Sequence, residues 1–140
     1  MKYSRIFLTF VFFAVGLLTI LGSATEPVNV VEATTPFTLS EADVAAIKKG
    51  VSEKLLDPTS PLFGSMQARK ASSNRIMVCG YVNAKNTFGG YTGDKPYVGE
   101  LYQSGSGKKV KSEFSPIKLG GTRLENYDVR EMCLSKGFIF

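Results

Sequence analysis

The chain has 140 residues, and its 17 Lys and Arg against 12 Asp and Glu give a formal net charge of +5 at pH 7. This charge is weaker than the basic footprint of a nucleic-acid binder, so we expect no nucleic-acid partner. The chain contains no histidine, which excludes Ser-His-Asp and Cys-His nucleophiles and the commonest zinc sites. We therefore predict no metal site and no cofactor.

The N-terminal residues 1–24 have the pattern of a secretory signal peptide. Lys2 and Arg5 give a basic start, residues 6–21 are apolar apart from Thr and Gly, and small residues follow up to Ala24. We expect cleavage after Ala24 and export to the periplasm or the medium. A retained anchor is the alternative, because the apolar run is long for a signal peptide, although it is slightly short of the roughly 20 residues that span a bilayer. Membrane contact is expected only through such an uncleaved leader.

The next segment, residues 25–37, has two prolines, three threonines and no period, which is typical of a flexible leader. Residues 29–31 could pair as a short edge strand. We predict a single domain over residues 38–140, which is long enough for one modest core.

Cys79 and Cys133 are the two cysteines of the chain. In an exported protein they indicate one disulfide, which would stabilise the domain by about 4 kcal/mol through the entropy of the unfolded chain. A reactive thiol is the alternative, but a low-pKa cysteine is favoured by Cys-x-x-Cys spacing or a neighbouring histidine, and both are missing.

A helix is predicted over residues 41–56. One apolar stripe recurs at spacings of three and four, at Val44, Ile47, Val51 and Leu55. Thr38, with a Glu three residues later, is expected to cap the helix in preference to Ser40 with Asp43. Pro58 is expected to end it.

Three later segments have the pattern of strands, at residues 75–85, 96–103 and 108–114. The first is apolar on both faces, which predicts a central strand. Its faces hold Ile76, Val78, Val82 and Ala84 on one side, and Met77, Cys79 and Tyr81 on the other. In the third, Val110 and Phe114 are expected to face inward with lysines outward, as on an edge strand. Residues 57–64 and 115–124 are interpreted as connectors, and the polar residues 65–74 could begin as a strand.

A second helix is predicted over residues 127–136, with Asn126 as its cap and Gly137 as a left-handed stop. The resulting fold class is α+β: an N-terminal helix, a three-stranded antiparallel sheet, a C-terminal helix and one disulfide. We expect these elements to form a sandwich of two layers.

Aromatic, amide and lysine side chains concentrate around residues 78–99, and such a mixture could bind a glycan, a peptide or a partner surface. The predicted binding patch consists of Tyr81, Asn83, Lys85, Asn86, Phe88, Tyr91 and Lys95. The alternative is that most of these aromatics build the core of a small domain. Asn83 and Asn86 are also expected to hydrogen-bond the backbone of the bend between two strands.

The glycine-rich runs do not match a phosphate-binding loop. Lys109 stands where Ser or Thr should follow Gly107 and Lys108, so hairpin turns explain the glycines better. A histidine-free hydrolase would need two carboxylates, with Asp94 and Glu100 as candidates, but nothing in the spacing brings them to one site.

The chain resembles small exported proteins of proteobacteria, mostly uncharacterised, over roughly residues 55–99. The resemblance is carried by an Asp-Pro-x-Ser segment with a following Phe, and by a Cys-Gly-x-Val-Asn-Ala-Lys-Asn core with a Gly-Gly-Tyr bend. These positions are Asp57, Pro58, Ser60, Phe63, Cys79, Gly80, Val82, Asn83, Ala84, Lys85, Asn86, Gly89, Gly90 and Tyr91. The resemblance implies an envelope or secreted location and supplies no activity.

The function expected from the sequence is a non-enzymatic exported domain that binds a protein partner in the envelope or outside the cell. A module that binds a small ligand or a glycan is the alternative, followed by the carboxylate hydrolase and by an inhibitor or immunity role.

Overall fold

The computed structural model describes residues 34–106 and 109–139. The elements are β1 Thr34–Phe37, α1 Glu41–Ser52, β2 Leu62–Ala71, β3 Ile76–Asn83, β4 Lys95–Ser104, β5 Lys111–Leu119 and α2 Arg123–Leu134. The predicted signal peptide, most of the predicted leader and the possible strand at residues 29–31 lie outside the described residues. None of the helices in the described part of the chain is long and apolar enough to cross a membrane.

The five strands form one antiparallel sheet in chain order, with β3 at its centre. α1 packs on one face through Ile47 and Val51, and α2 packs on the other through Val129 and Cys133. The predicted three-stranded sheet led by an N-terminal helix is therefore wrong: the sheet has five strands, and a strand precedes the first helix. The predicted two layers are wrong as well, because the helices lie on opposite faces and give three layers.

A β-bulge explains why the sequence indicates β2 only in part, as a possible strand start within residues 65–74, while residues 62–64 were wrongly interpreted as a connector. Phe63 and Met66 both pack against the α1 face of the sheet although they are three residues apart. The register with β3 shifts between them, so the period of two that marks a strand is broken there. β1 was missed because its four residues, Thr34–Phe37, fall in the segment interpreted as leader.

β5 runs further than predicted, through Pro116 to Leu119. Proline is tolerated there because β5 is an edge strand, where a missing N–H leaves no partner strand unpaired. Phe114 packs against the core as expected. The inward placement of Val110 is wrong, since this residue precedes the strand and is 40% exposed.

The helix boundaries follow their caps. α1 begins after Ser40, whose hydroxyl accepts from the Asp43 amide in a capping box, and not after Thr38. It ends at Ser52, because the following residues make tighter turn hydrogen bonds. α2 begins after Thr122, whose hydroxyl accepts from the backbone amide of the third helical residue, so the predicted cap at Asn126 is wrong. The left-handed stop is confirmed, since Gly137 has a φ of 81°.

The prediction that β3 is central and apolar on both faces is confirmed. Val78 packs toward α1, whereas Met77 and Cys79 pack toward α2. The predicted disulfide is confirmed as well: Cys79 and Cys133 are bonded, with their Cα atoms 6.2 Å apart. The bond fastens α2 to the middle of the sheet.

Tyr97 of β4 is the largest fully buried side chain on the α1 face. Phe63 and Phe114 contact its ring edge to face, with centroids 6.5 and 6.3 Å away. The Tyr97 hydroxyl is buried, and within the described residues it has no hydrogen-bond partner. Burial also raises the pKa of this hydroxyl far above its usual value. The ring therefore stabilises the core while its polar end does not.

A second buried polar group, Asp43, joins three elements. Its carboxylate accepts from the Ser40 amide and hydroxyl at 2.9 and 2.7 Å, from Gln103 Nε2 at 2.9 Å and from Ser112 Oγ at 2.6 Å. Burial acts to raise the pKa of Asp43, but the hydrogen bonds from Ser112, Gln103 and Ser40 outweigh it and lower the pKa below its usual value. The start of α1 is thereby tied to β4 and β5.

Candidate functional site: the β3–β4 loop and the lysine cleft

The β3–β4 loop, residues 84–94, is closed by the side chain of Asn86. Its Oδ1 accepts from the backbone amides of Phe88 at 2.9 Å and Gly90 at 3.1 Å, and the backbone amide of Asn86 donates to the Gly90 carbonyl at 2.9 Å. Gly89 takes a φ of 80°, which side chains rarely adopt. The predicted backbone hydrogen bonding by Asn86 is confirmed, and the result is a tight turn with Phe88 at its tip.

The base of the loop is held by a second set of hydrogen bonds. The amide of Gly93 donates to Asn83 Oδ1 at 3.1 Å, and the amide and hydroxyl of Thr92 donate to the Ala84 carbonyl at 3.3 Å. These hydrogen bonds continue the β3–β4 hairpin beyond the last paired residues of the strands, so the base of the loop is ordered.

Ser60 braces the loop from outside. Its hydroxyl accepts from the Lys85 amide at 3.2 Å, and its carbonyl accepts from the Tyr91 hydroxyl at 3.2 Å. Lys85 and Tyr91 also form an isolated bridge, and the Lys85 ammonium lies 5.5 Å from the centroid of the Tyr91 ring. The Asp-Pro-Thr-Ser turn and the Asn-rich loop, distant in sequence, thus form one structural unit.

Phe88 is 94% exposed and Tyr91 is 47% exposed. A phenylalanine side chain gains about 1.5–3 kcal/mol when it is buried, so Phe88 leaves that gain unused in the isolated domain. Because its backbone is already ordered, a partner that covers the ring would pay little conformational entropy for it. The turn has the properties of an aromatic anchor.

The structure gathers most, but not all, of the predicted patch. Asn83, Lys85, Asn86, Phe88 and Tyr91 belong to the loop and its base. Lys95 lies next to them at the start of β4, and its ammonium donates to the Gly121 carbonyl at 3.2 Å. Tyr81 lies on the face of the sheet that α2 covers, where the guanidinium carbon of Arg130 is 5.9 Å from the Tyr81 ring centroid. Tyr81 is therefore separated from the rest of the patch.

A cleft of about 280 Å³ lies beside the loop, on the α1 side of the sheet. We call it the lysine cleft, defined by the aliphatic residues Leu55, Leu56, Val82, Ala84 and Leu119 and by the lysines Lys54, Lys85 and Lys95. Asn86, Thr92 and Gly120 complete its lining. Sequence reasoning missed this cleft because its walls come from the residues after α1, the end of β3 and the end of β5. The sequence holds one indication of the cleft. Leu55 and Leu56 are apolar residues close to Pro58, which cannot continue a helix, so a helix face does not bury them.

Two carboxylates lie near these lysines without lining the cleft. Hydrogen bonds from the hydroxyl and amide of Thr59 lower the pKa of Asp57, and the charge of Lys85 adds to the shift. The pKa of Glu125 is lowered by hydrogen bonds from Thr122, with smaller contributions from Lys118 and Lys95. The main hydrogen-bond donors to both acids are threonines, and the lysines contribute the smaller part of each shift.

The carboxylates proposed for a hydrolase are far apart. Asp94 precedes β4, whereas Glu100 lies six positions along the chain, which corresponds to about 20 Å in a strand. Sugar hydrolysis requires the two carboxylates within about 5–9.5 Å. Glu100 is also engaged, since Arg75 contacts it at 3.3 Å and the Tyr102 hydroxyl donates to it. This pair does not form the dyad.

The glycine-rich runs adopt turns. Gly89, Gly93 and Gly105 all have positive φ angles, which confirms their interpretation as hairpin glycines. Residues 107–108, in the middle of the second run, lie outside the described residues.

Comparisons with protein-family models, with curated proteins and with solved structures found no significant match. The resemblance to small exported proteobacterial proteins therefore stays a prediction, and function has to be argued from the site itself.

Proposed function

We propose that the protein is a non-enzymatic exported domain that binds a protein partner, in the envelope or outside the cell, through the tip of the β3–β4 loop. The observation that carries this proposal is the almost complete exposure of Phe88 on a turn that the hydrogen bonds of Asn86 close. The disulfide between Cys79 and Cys133 fits an oxidising compartment, which supports export.

The loop carries the type of residue that contributes most of the binding free energy at protein interfaces. Aromatic side chains are enriched among the residues whose truncation costs most of the binding free energy. Tyr91 adds a second ring at the side of the turn, and its hydroxyl bond to Ser60 fixes its position. Lys85 places a positive charge against that ring. A partner with an apolar pocket and an acidic rim would match this surface.

The test is partner capture from the cells that make the protein. A C-terminally tagged full chain is gently cross-linked in place, recovered and analysed by quantitative mass spectrometry. We expect one protein to be enriched stoichiometrically, and Phe88→Ala to reduce its recovery by about tenfold, since loss of an anchor costs more than 1 kcal/mol. The free energy of unfolding should change by less than about 0.5 kcal/mol, because the ring makes few contacts in the free domain.

Leu124→Ala is the matched control, because Leu124 is also a large exposed apolar residue, at 70% exposure, but lies on α2. It should leave recovery unchanged. Equal recovery with Phe88→Ala and the parent chain, at equal stability, would contradict the proposal. A large loss of stability on Phe88→Ala would also contradict it, because the ring would then belong to the core.

A further inference from the structure

We propose that the lysine cleft is a second binding site, separate from the loop tip, and that it takes a single aliphatic chain ending in a carboxylate. Neither Phe88 nor Tyr91 lines the cleft, although the lining residue Lys85 also contacts the Tyr91 ring.

The walls of the cleft determine what can lie inside it. Its apolar lining comes from leucine, valine and alanine side chains, and it contains no aromatic ring. Sugars are held by stacking on aromatic faces, so this surface does not suit a glycan. Aliphatic walls instead favour a hydrocarbon chain, whose burial is non-directional and grows with each methylene.

The positive charge of the lining indicates which head group the hydrocarbon chain of the ligand carries. Three lysines, Lys54, Lys85 and Lys95, stand among the lining residues, and none of those residues is acidic. Two of the ammonium groups are held in place: Lys95 donates to the Gly121 carbonyl and Lys85 lies over the Tyr91 ring. A ligand that buries a chain between the leucines would leave its head group among these positive charges. A carboxylate therefore complements the cleft, whereas an alcohol or an ammonium head does not.

The size of the cleft limits the ligand to a slender one. Its volume of about 280 Å³ is just below the roughly 300–1,000 Å³ that is usual for ligand pockets. A multi-ring compound would not be enclosed. Leu56, one of the lining residues, is 78% exposed, so an aliphatic ligand would bury apolar surface that the free domain leaves in water.

The probe is decanoate, kept below the concentration at which it forms micelles. Isotopically labelled protein is purified from cells that express the full gene, with whatever N-terminal processing they perform, and decanoate is titrated into it under NMR observation. We expect saturable shifts confined to amides around Val82, Ala84, Lys85 and Leu119. Decan-1-ol has the same chain without the charge and should bind at least about threefold more weakly, because it loses the attraction of three exposed lysines. Octanoate is two methylenes shorter and should bind up to about 15-fold more weakly.

A charge variant tests the lysines directly. An exposed ion pair strengthens binding by about 1.5- to 5-fold, so Lys54→Gln, Lys85→Gln and Lys95→Gln together should weaken decanoate binding by at least about threefold. The matched control replaces Lys49, Lys70 and Lys111 by Gln, which removes the same charge away from the cleft and should change binding less than about twofold.

Several outcomes would overturn the proposal. These are the absence of saturable shifts, shifts scattered over the surface, equal binding of decan-1-ol, or tighter binding of an acetylated Leu-Glu-Leu peptide than of decanoate. Phe88→Ala should leave decanoate binding unchanged, so failure here and failure of the loop-tip proposal are distinguishable.

Discussion

Replacing Gly50 by alanine should destabilise the protein, even though alanine is the better helix former. Gly50 lies in α1 on the side that faces β5, and it is buried. A Cβ atom added there would stand 2.7 Å from the carbonyl oxygen of Phe114 and 3.0 Å from the Phe114 ring. The nearest atom belongs to the backbone of a strand, so it cannot move aside as a flexible side chain would.

The sign depends on two opposing contributions. Alanine in place of glycine gains up to about 1 kcal/mol of helix propensity. Overpacking a well-filled interface costs about 1–3 kcal/mol, and the upper part of this range applies because α1 has to shift away from the sheet. The shift would also loosen Ile47 and Val51, the helix residues buried in the same layer. We therefore expect a net loss of about 1–2 kcal/mol in the free energy of unfolding.

The assay is urea denaturation followed by circular dichroism, with the same slope required for both proteins so that midpoints can be compared. Gly90→Ala is the matched control. At that position φ is not in the left-handed region, and the nearest atom to an added Cβ is Asn86 Oδ1 at 3.8 Å. The control should keep or slightly raise stability, because alanine restricts the unfolded chain. If Gly50→Ala were as stable as the parent, the close packing of α1 on β5 would be disproved.

Two further predictions concern buried polar groups. Tyr97→Phe should raise the free energy of unfolding by up to about 1 kcal/mol, because it removes a buried hydroxyl without a partner among the described residues. Thermal unfolding measures this change, and a loss of stability would show that the hydroxyl is hydrogen-bonded. For Asp43, the folded pKa lies below the unfolded value, so its stabilising contribution is complete above about pH 4 and is lost as pH falls through the folded pKa. Asp43→Asn should flatten the loss of stability below about pH 4, and acid titrations that coincide for the two proteins would refute this role.

The sequence predicts those parts of the fold in which a local pattern and the tertiary structure agree. β3 is apolar on both faces because it is covered by a helix on each side, and the two cysteines leave one possible pairing. β2 escapes the pattern because its bulge between Phe63 and Met66 shifts the period. The early start of α2 was readable from Thr122 and Glu125, which form a standard capping box. Asn126, the cap predicted from the sequence, is the weaker of the two cap signals.

The candidate site also has one part that the sequence predicts and one part that it does not. The turn at Asn86 is a local structure, formed by residues within four positions of one another, so amides and glycines in sequence predict it. The lysine cleft depends on the meeting of three distant segments. No spacing rule brings Leu56, Ala84 and Leu119 together, and only the order of strands in the sheet does so.

The order of the sheet has a consequence for how the chain acquires its structure. Each strand pairs with the one made just before it, so a chain that emerges N-terminus first always finds the partner strand already present. Such sequential pairing closes shorter loops than pairing between distant strands would, which favours faster assembly. The disulfide is different, because Cys79 has to wait until Cys133, 54 residues later, has emerged within α2. Covalent closure therefore requires the whole chain as far as α2, and reduction of the bond would release the only covalent link, other than the backbone itself, between the described α2 and the sheet.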